Sequence, residues 1–379
     1  TSIWDLEPVD GLFKVPSCVV LGRTRSEVGK QDYPIRAEVL STLSTSRDDL
    51  KERKLYLHEQ GESSAWDYDA PLSIETRDVY GPVFKQGADL MPRTAVIVQI
   101  EGDRPNRAGE SVAVRTSKIE ENNYRNKVLE GVVFKGIVNE KYLYNTIKSS
   151  NVLPFVTLDD RIQTAALPMR RDKDRKILSE GEMIDLGDLD TAEWFRDVDE
   201  NLESTSIRER VDERGKLTKQ PKLSGKYLVQ SGASGSTPCA SIYRHPEGGP
   251  PFVMDQTLYT YATQNKHEAY YLSGMLNSNV LEDQIDRFQS RSGFGKRHVH
   301  KLPFRILPRF DGSDRLHLAI AELSERLERH ARGQLTQYEL NLQKPLHVRR
   351  RRLSERLDDD LLDLLDDLAG AALQRSQSS

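Results

Sequence analysis

The segment from Glu268 to Asp311 constrains the fold more than any other stretch of this chain. It reads as a helix that breaks at Leu276-Asn277-Ser278-Asn279, a second helix, a basic glycine-containing loop and a proline-bounded apolar strand. The rest of the chain reads as the scaffold that presents it. No Asp, Glu or Cys lies between Gln289 and Phe310, whereas Arg291, Lys296, Arg297, Lys301, Arg305 and Arg309 do, with Phe294, His298 and His300 among them. Two readings of that window stand. Arginines and lysines beside glycines that permit close backbone approach suit phosphate and base-edge contacts. The bland reading is a solvated loop whose charges find partners in space.

The fold class follows from periodicity. We expect an α+β protein: two mixed β-containing subdomains joined and flanked by helices, with long amphipathic C-terminal helices. Residues 1–160 form the first, β-rich subdomain. In it Cys18-Val19-Val20-Leu21 reads as a buried strand, Thr94 to Ile100 as a central strand, Ser111 to Thr116 as a half-buried strand at period two, and Gly131 to Val138 as another strand. Lys141 to Ser150 reads as a short helix or turn, and Leu153 to Val156 as an edge strand. Residues 161–225 form a polar connection, with the charge run Arg170 to Lys176 and an acidic helix around Trp194 and Phe195. Residues 226–312 form a second α+β subdomain, opening with the strand Lys226 to Gln230 and a strand pair, Phe252-Val253-Met254 with Leu258 to Tyr261. Residues 313–379 are C-terminal helices. Leu316, Ile320, Leu323 and Leu327 give one an apolar face. Arg349 to Arg352 opens the other, whose stripe runs from Leu353 to Leu368 with aspartates opposite; Gln374 to Ser379 reads as disordered.

A chain of 379 residues can bury a sizeable core, and its net charge of −4 restricts any binding of nucleic acid to local patches. Cys18 and Cys239 make neither a disulfide framework nor a zinc site, and fit a reducing cytoplasm. No apolar run reaches the length of a membrane span, so we expect no membrane partner. The chain starts at Thr1, which suggests a fragment or a processed chain.

Catalytic motifs are sparse. Gly249-Pro250-Pro251-Phe252 resembles the end of a base-methylation motif, but Gly249 has no side chain to hold an amine. Ser292-Gly293-Phe294-Gly295 follows a helix rather than a strand, unlike a cofactor-binding glycine loop, and Ser231 to Ser236 lacks the lysine of a phosphate loop. His298 and His300 share a face of any strand, yet no third ligand accompanies them.

Four stretches, taken in order, resemble a known family: Phe84 to Arg93 before a strand; Gly215 to Thr218 through Lys226 to Val229; Ala269 to Ser278; and Gly295 to Pro303 through Leu307 to Asp311. They resemble the C-terminal target-recognition region of large adenine-N6 DNA methyltransferases of restriction-modification and related phage-defence systems. The resemblance implies sequence-specific recognition of double-stranded DNA. It places methyl transfer, and the cofactor S-adenosylmethionine, in a methyltransferase domain outside this chain, in cis or in trans; no cofactor is expected here. The DNA-binding residues it implies are Arg291, Gly293, Phe294, Gly295, Lys296, Arg297, His298, His300 and Lys301. The alternative is an interaction scaffold, whose acidic Leu353-to-Leu368 helix docks other subunits of a defence complex.

Overall fold

The computed structural model describes the chain apart from residues 1, 7–8, 10–16, 23–31, 41–49, 61–62, 70–77, 103–108, 122–128, 130, 172–174, 203–205, 224, 233–238, 248–249, 287, 289, 293–294, 298–300, 338–345 and 378–379. The fold is α+β. The N-terminal part is a sheet in the order β2-β1-β3-β4-β5, built from β1 (Ser2–Asp5), β2 (Cys18–Leu21), β3 (Ile35–Leu40), β4 (Leu50–Gln60) and β5 (Ser63–Asp67). It has its own small core of Ile3, Ile35, Ala37 and Leu55. The Cys18–Leu21 strand forms as expected but is not buried. It lies at the sheet edge and all four residues are exposed.

After β6 (Lys85–Gln86) and the single-turn helix α1 (Arg93–Val96) comes β7 (Ile97–Ile100), an interior strand as expected, although Thr94 to Val96 of the expected strand belong to α1. β8 (Ser111–Thr116) alternates exposed and buried positions, as its period-two pattern predicts. It is followed by α2 (Lys118–Glu121), β9 (Lys135–Asn139), β10 (Leu143–Ile147), β11 (Val152–Leu153), β12 (Val156–Thr157) and β13 (Gln163–Ala166). Lys141 to Ser150 is therefore chiefly a strand. β10 is interior and almost fully buried, so residues on both of its faces, Thr146 among them, are enclosed and no alternation marks it.

The acidic connection folds into α3 (Glu180–Asp185), α4 (Leu189–Glu200) and α5 (Ile207–Val211). α4 buries Trp194 and Phe195 in the same core as Ile97, Val114 and Val138. Four more strands follow: β14 (Tyr227–Gly232), β15 (Ala240–Arg244), β16 (Phe252–Met254) and β17 (Leu258–Thr263). The last two do not pair with each other. β16 joins the six-stranded sheet β16-β10-β13-β7-β8-β9, and β17 joins the four-stranded sheet β15-β14-β17-β6. The chain thus crosses from one sheet to the other between Met254 and Leu258.

That crossing is laced to residues 85–93. Ala88 N–H donates to Met254 O at 2.8 Å, Gln256 N–H donates to Ala88 O at 2.7 Å, and the buried carboxylate of Asp255 receives Arg93 Nη2 at 2.9 and 3.0 Å. A Cβ on Gly87 would lie 2.4 Å from the backbone oxygens of Met254 and Asp255, so only glycine fits that approach.

The C-terminal part comprises α6 (Lys266–Asn277), α7 (Asn279–Asp286), β18 (Ser290–Ser292), β19 (Gly295–Arg297), α8 (Leu302–Arg305), α9 (Arg315–Gln337), α10 (Leu346–Ser354) and α11 (Asp359–Gln377). One core joins these helices to Val229, Ala240 and Tyr259 of the four-stranded sheet. Two expectations are corrected here. The Leu353-to-Leu368 stripe spans two helices, parted near Leu357, and α11 continues to Gln377. Among the described residues no helix is long and apolar enough to cross a membrane.

Candidate nucleic-acid interface

α6 starts where Asn265 accepts a hydrogen bond from Glu268 N–H, and Glu268 in turn accepts from Tyr80, Tyr261 and Thr263 hydroxyls. Its inner face buries Ala269, Tyr271, Leu272, Met275 and Leu276. At Gly274 the helix runs close to α9: a Cβ there would meet Ile320 Cγ2 at 3.0 Å.

The Leu-Asn-Ser-Asn break is a structural joint. Asn277 Oδ1 accepts from Ala240 N–H at 3.0 Å and Asn277 Nδ2 donates to Ala240 O at 2.8 Å, so one side-chain amide serves both backbone groups of a residue in β15. Ser278 Oγ donates to Met275 O at 2.9 Å and accepts from Leu281 N–H at 3.3 Å, closing α6 and opening α7. Asn279 N–H and Nδ2 both donate to the Asp366 carboxylate of α11 at 2.8 Å. These polar groups are spent inside the protein.

Beyond α7 the chain makes a two-stranded antiparallel ribbon. Ser290 pairs with Arg297, Arg291 with Lys296, and Ser292 with Gly295. It leaves a buried base, Leu281 and Ile285, and returns to one, Leu302 and Phe304. Phe304 stacks on Phe84 with ring centroids 4.1 Å apart. The apolar stretch after the ribbon is the helix α8 rather than the expected strand, with Pro303 in its first turn, where a missing N–H costs nothing. In the register Arg291 stands opposite Lys296.

Lys301 sits at the exit of the ribbon with φ +64°, and its Nζ donates to Gly81 O at 3.1 Å. Burial, then Lys85 and Arg305, push its pKa down. Arg305 Nε lies 3.5 Å from Asp78 Oδ2 and Arg309 is exposed. Of the expected contact residues, Arg291, Gly295, Lys296, Arg297 and Lys301 are thus gathered on the ribbon and its exit. Gly293, Phe294, His298 and His300 lie outside the described residues, as does the histidine pair considered for a metal.

Other basic stretches are engaged elsewhere. In the Arg170-to-Lys176 run, Arg171 pairs with Glu140, Arg175 donates to Gln220 O at 2.8 Å, and Lys176 pairs with Glu182 at 2.5 Å. In Arg349 to Arg352, Arg349 and Arg350 are buried rather than solvated, a placement no charge pattern signals. Phe252 is 2 % exposed and stacks on Tyr243 at 4.9 Å, so its ring is not offered to an extruded base. The described residues therefore do not fit the methylation motif. Among them no group of His, Cys, Asp or Glu is placed to hold a metal ion.

No family model and no curated protein matches the chain. Among solved structures it is similar to the Type IIL restriction-modification enzyme MmeI in complex with DNA, at 12 % identity and a TM-score of 0.44. The match covers 92 % of this chain and 42 % of that one, so the chain spans less than half the length of the solved protein. A likeness at that TM-score decides neither fold nor function.

Proposed function

We propose that the chain is a DNA-recognition module: the target-recognition part of an adenine-N6 DNA methyltransferase of a restriction-modification or phage-defence system. The observation that carries this reading is the basic ribbon Ser290–Arg297, set in a window free of acidic residues from Gln289 to Phe310 and anchored at both ends in the C-terminal core. A two-stranded ribbon is one of the two elements that B-DNA's major groove admits. Opposed cations without an acidic neighbour in sequence are disfavoured in isolation and stabilised by phosphate. Arg291, Lys296 and Arg297 hold the backbone or base edges in this account, and Lys301, bonded to Gly81, positions the ribbon's exit. Methyl transfer itself belongs to a domain carrying S-adenosylmethionine, and no step of it is assigned to these residues.

The test is duplex affinity at fixed, low salt for the wild-type chain and for Arg291→Gln, Lys296→Gln and Arg297→Gln. Each variant is expected to keep its circular-dichroism spectrum and lose roughly 1–3 kcal/mol of binding. Unchanged affinity in all three moves the DNA-facing surface away from the ribbon. The scaffold reading is less well served, because much of the apolar stripe it relies on is packed inward: Leu353, Leu357 and Leu365 are buried in this chain's own core, and of the stripe Leu364 is exposed.

A further inference from the structure

Lys148 at the end of β10, Ser150 and Asn151 in the turn after it, Arg161 and Gln163 at the start of β13, Ile119 of α2 and Arg349 of α10 line a cleft of about 150 Å³. Its cations are unequally satisfied. Lys148 is paired with the buried carboxylate of Glu120. Arg161 Nε meets Asp160 Oδ2 at 3.2 Å, in a pair whose carboxylate is 70 % exposed and therefore screened by water. Arg350 spends its guanidinium on Val152 O at 3.2 Å and Ser149 O at 3.3 Å. Arg349 is different. It is 9 % exposed, its Nε has no hydrogen-bond partner, and no carboxylate among the described residues pairs with it. Burial, then the neighbouring charges of Arg350 and Arg161, push its pKa down.

A guanidinium cannot escape this situation by losing its proton. A buried cation facing other cations is costly unless an anion satisfies it. The fork of an arginine matches a phosphate oxygen pair, and Arg161 brings a second one to the same cleft. Size narrows the ligand further. About 150 Å³ is well below the ~300 Å³ at which whole small molecules are commonly enclosed, so the cleft takes a group rather than a nucleotide. We propose that it holds one phosphoryl group, with Arg349 and Arg161 as its ligands. This inference does not rest on the ribbon.

The probe is inorganic phosphate, titrated into the full chain by calorimetry against chloride at matched ionic strength. Saturable binding is expected, weakened roughly tenfold in both Arg349→Gln and Arg161→Gln, as loss of a charge-assisted hydrogen bond predicts, and unchanged in Arg196→Gln, an exposed arginine of α4 that pairs with Glu180. Arg161 is partly exposed, so its variant keeps the test valid should Arg349→Gln fail to fold. Absence of saturable phosphate binding, or wild-type binding by both folded variants, overturns the proposal. A parallel titration with a short duplex assigns the source. A comparable loss of DNA affinity in these variants identifies a backbone phosphate. Unchanged DNA affinity alongside lost phosphate binding identifies a free phosphate or phosphate ester.

Discussion

Two buried polar residues show how single side chains hold this architecture. Arg93 precedes β7 of the six-stranded sheet, and Asp255 lies where the chain crosses to the four-stranded one; their ion pair ties the joint, with the Asp255 side chain only 1 % exposed. Removing one member leaves the other charged and unpaired. Arg93→Met is expected to cost about 3–5 kcal/mol in chemical denaturation, and a loss below about 1 kcal/mol contradicts that role. His317 behaves as a neutral core residue. Its Nδ1 accepts from Asp311 N–H at 3.0 Å and its ring lies 4.7 Å from that of Tyr271. Burial pushes its pKa below the ordinary 6.5, outweighing Asp314 and Asp311, which raise it. Below pH 6.5 the unfolded chain therefore binds a proton that the folded chain does not. Stability that is complete above that pH is lost as pH falls toward the folded-state value, and His317→Gln is expected to flatten the slope below pH 6.5 in thermal melts. An unchanged slope assigns the pH dependence to other groups.

At the level of elements, the C-terminal helices act as the base on which the ribbon stands. α11 packs on α9 and α7, and Asp366 bonds the first residue of α7 directly. Leu365 is fully buried there, so Leu365→Ala is expected to destabilise by about 2–5 kcal/mol, read by urea denaturation. A neutral result places the helix outside the cooperative core. These elements also show what sequence patterning conveys. The alternation of Ser111 to Thr116 and the apolar face of Leu316, Ile320, Leu323 and Leu327 are legible because one side of each element faces solvent. β10 is not, because Thr146 is 0 % exposed and a polar residue within a strand buried on both sides erases the period. α8 is not, because proline suits both a strand edge and a helix's first turn. The ribbon's basic character was legible from Gln289 to Phe310. Arg349 was not, since nothing in a run of four arginines tells which one a cleft encloses.

For the whole molecule, charge and topology point the same way. A net charge of −4 gives no general attraction for DNA, so the proposed affinity has to come from where acids are absent. The six- and four-stranded sheets share the joint at residues 85–93 and 254–258, and the four-stranded sheet shares its core with the helices that flank the ribbon. Buried residues of that core, Ile285 before the ribbon and Leu302 after it, flank it on both sides. The measurement that tests this most directly is the dependence of duplex affinity on salt concentration, for wild type and for a variant carrying Arg291→Gln, Lys296→Gln and Arg297→Gln together. Phosphate contacts make log affinity fall linearly with log salt, and each lost contact flattens the slope by roughly one. The account predicts a steep slope for wild type that drops by about two to three in the variant, with the fold intact. A flat response in the wild-type chain, or an identical steep slope in both proteins, contradicts it.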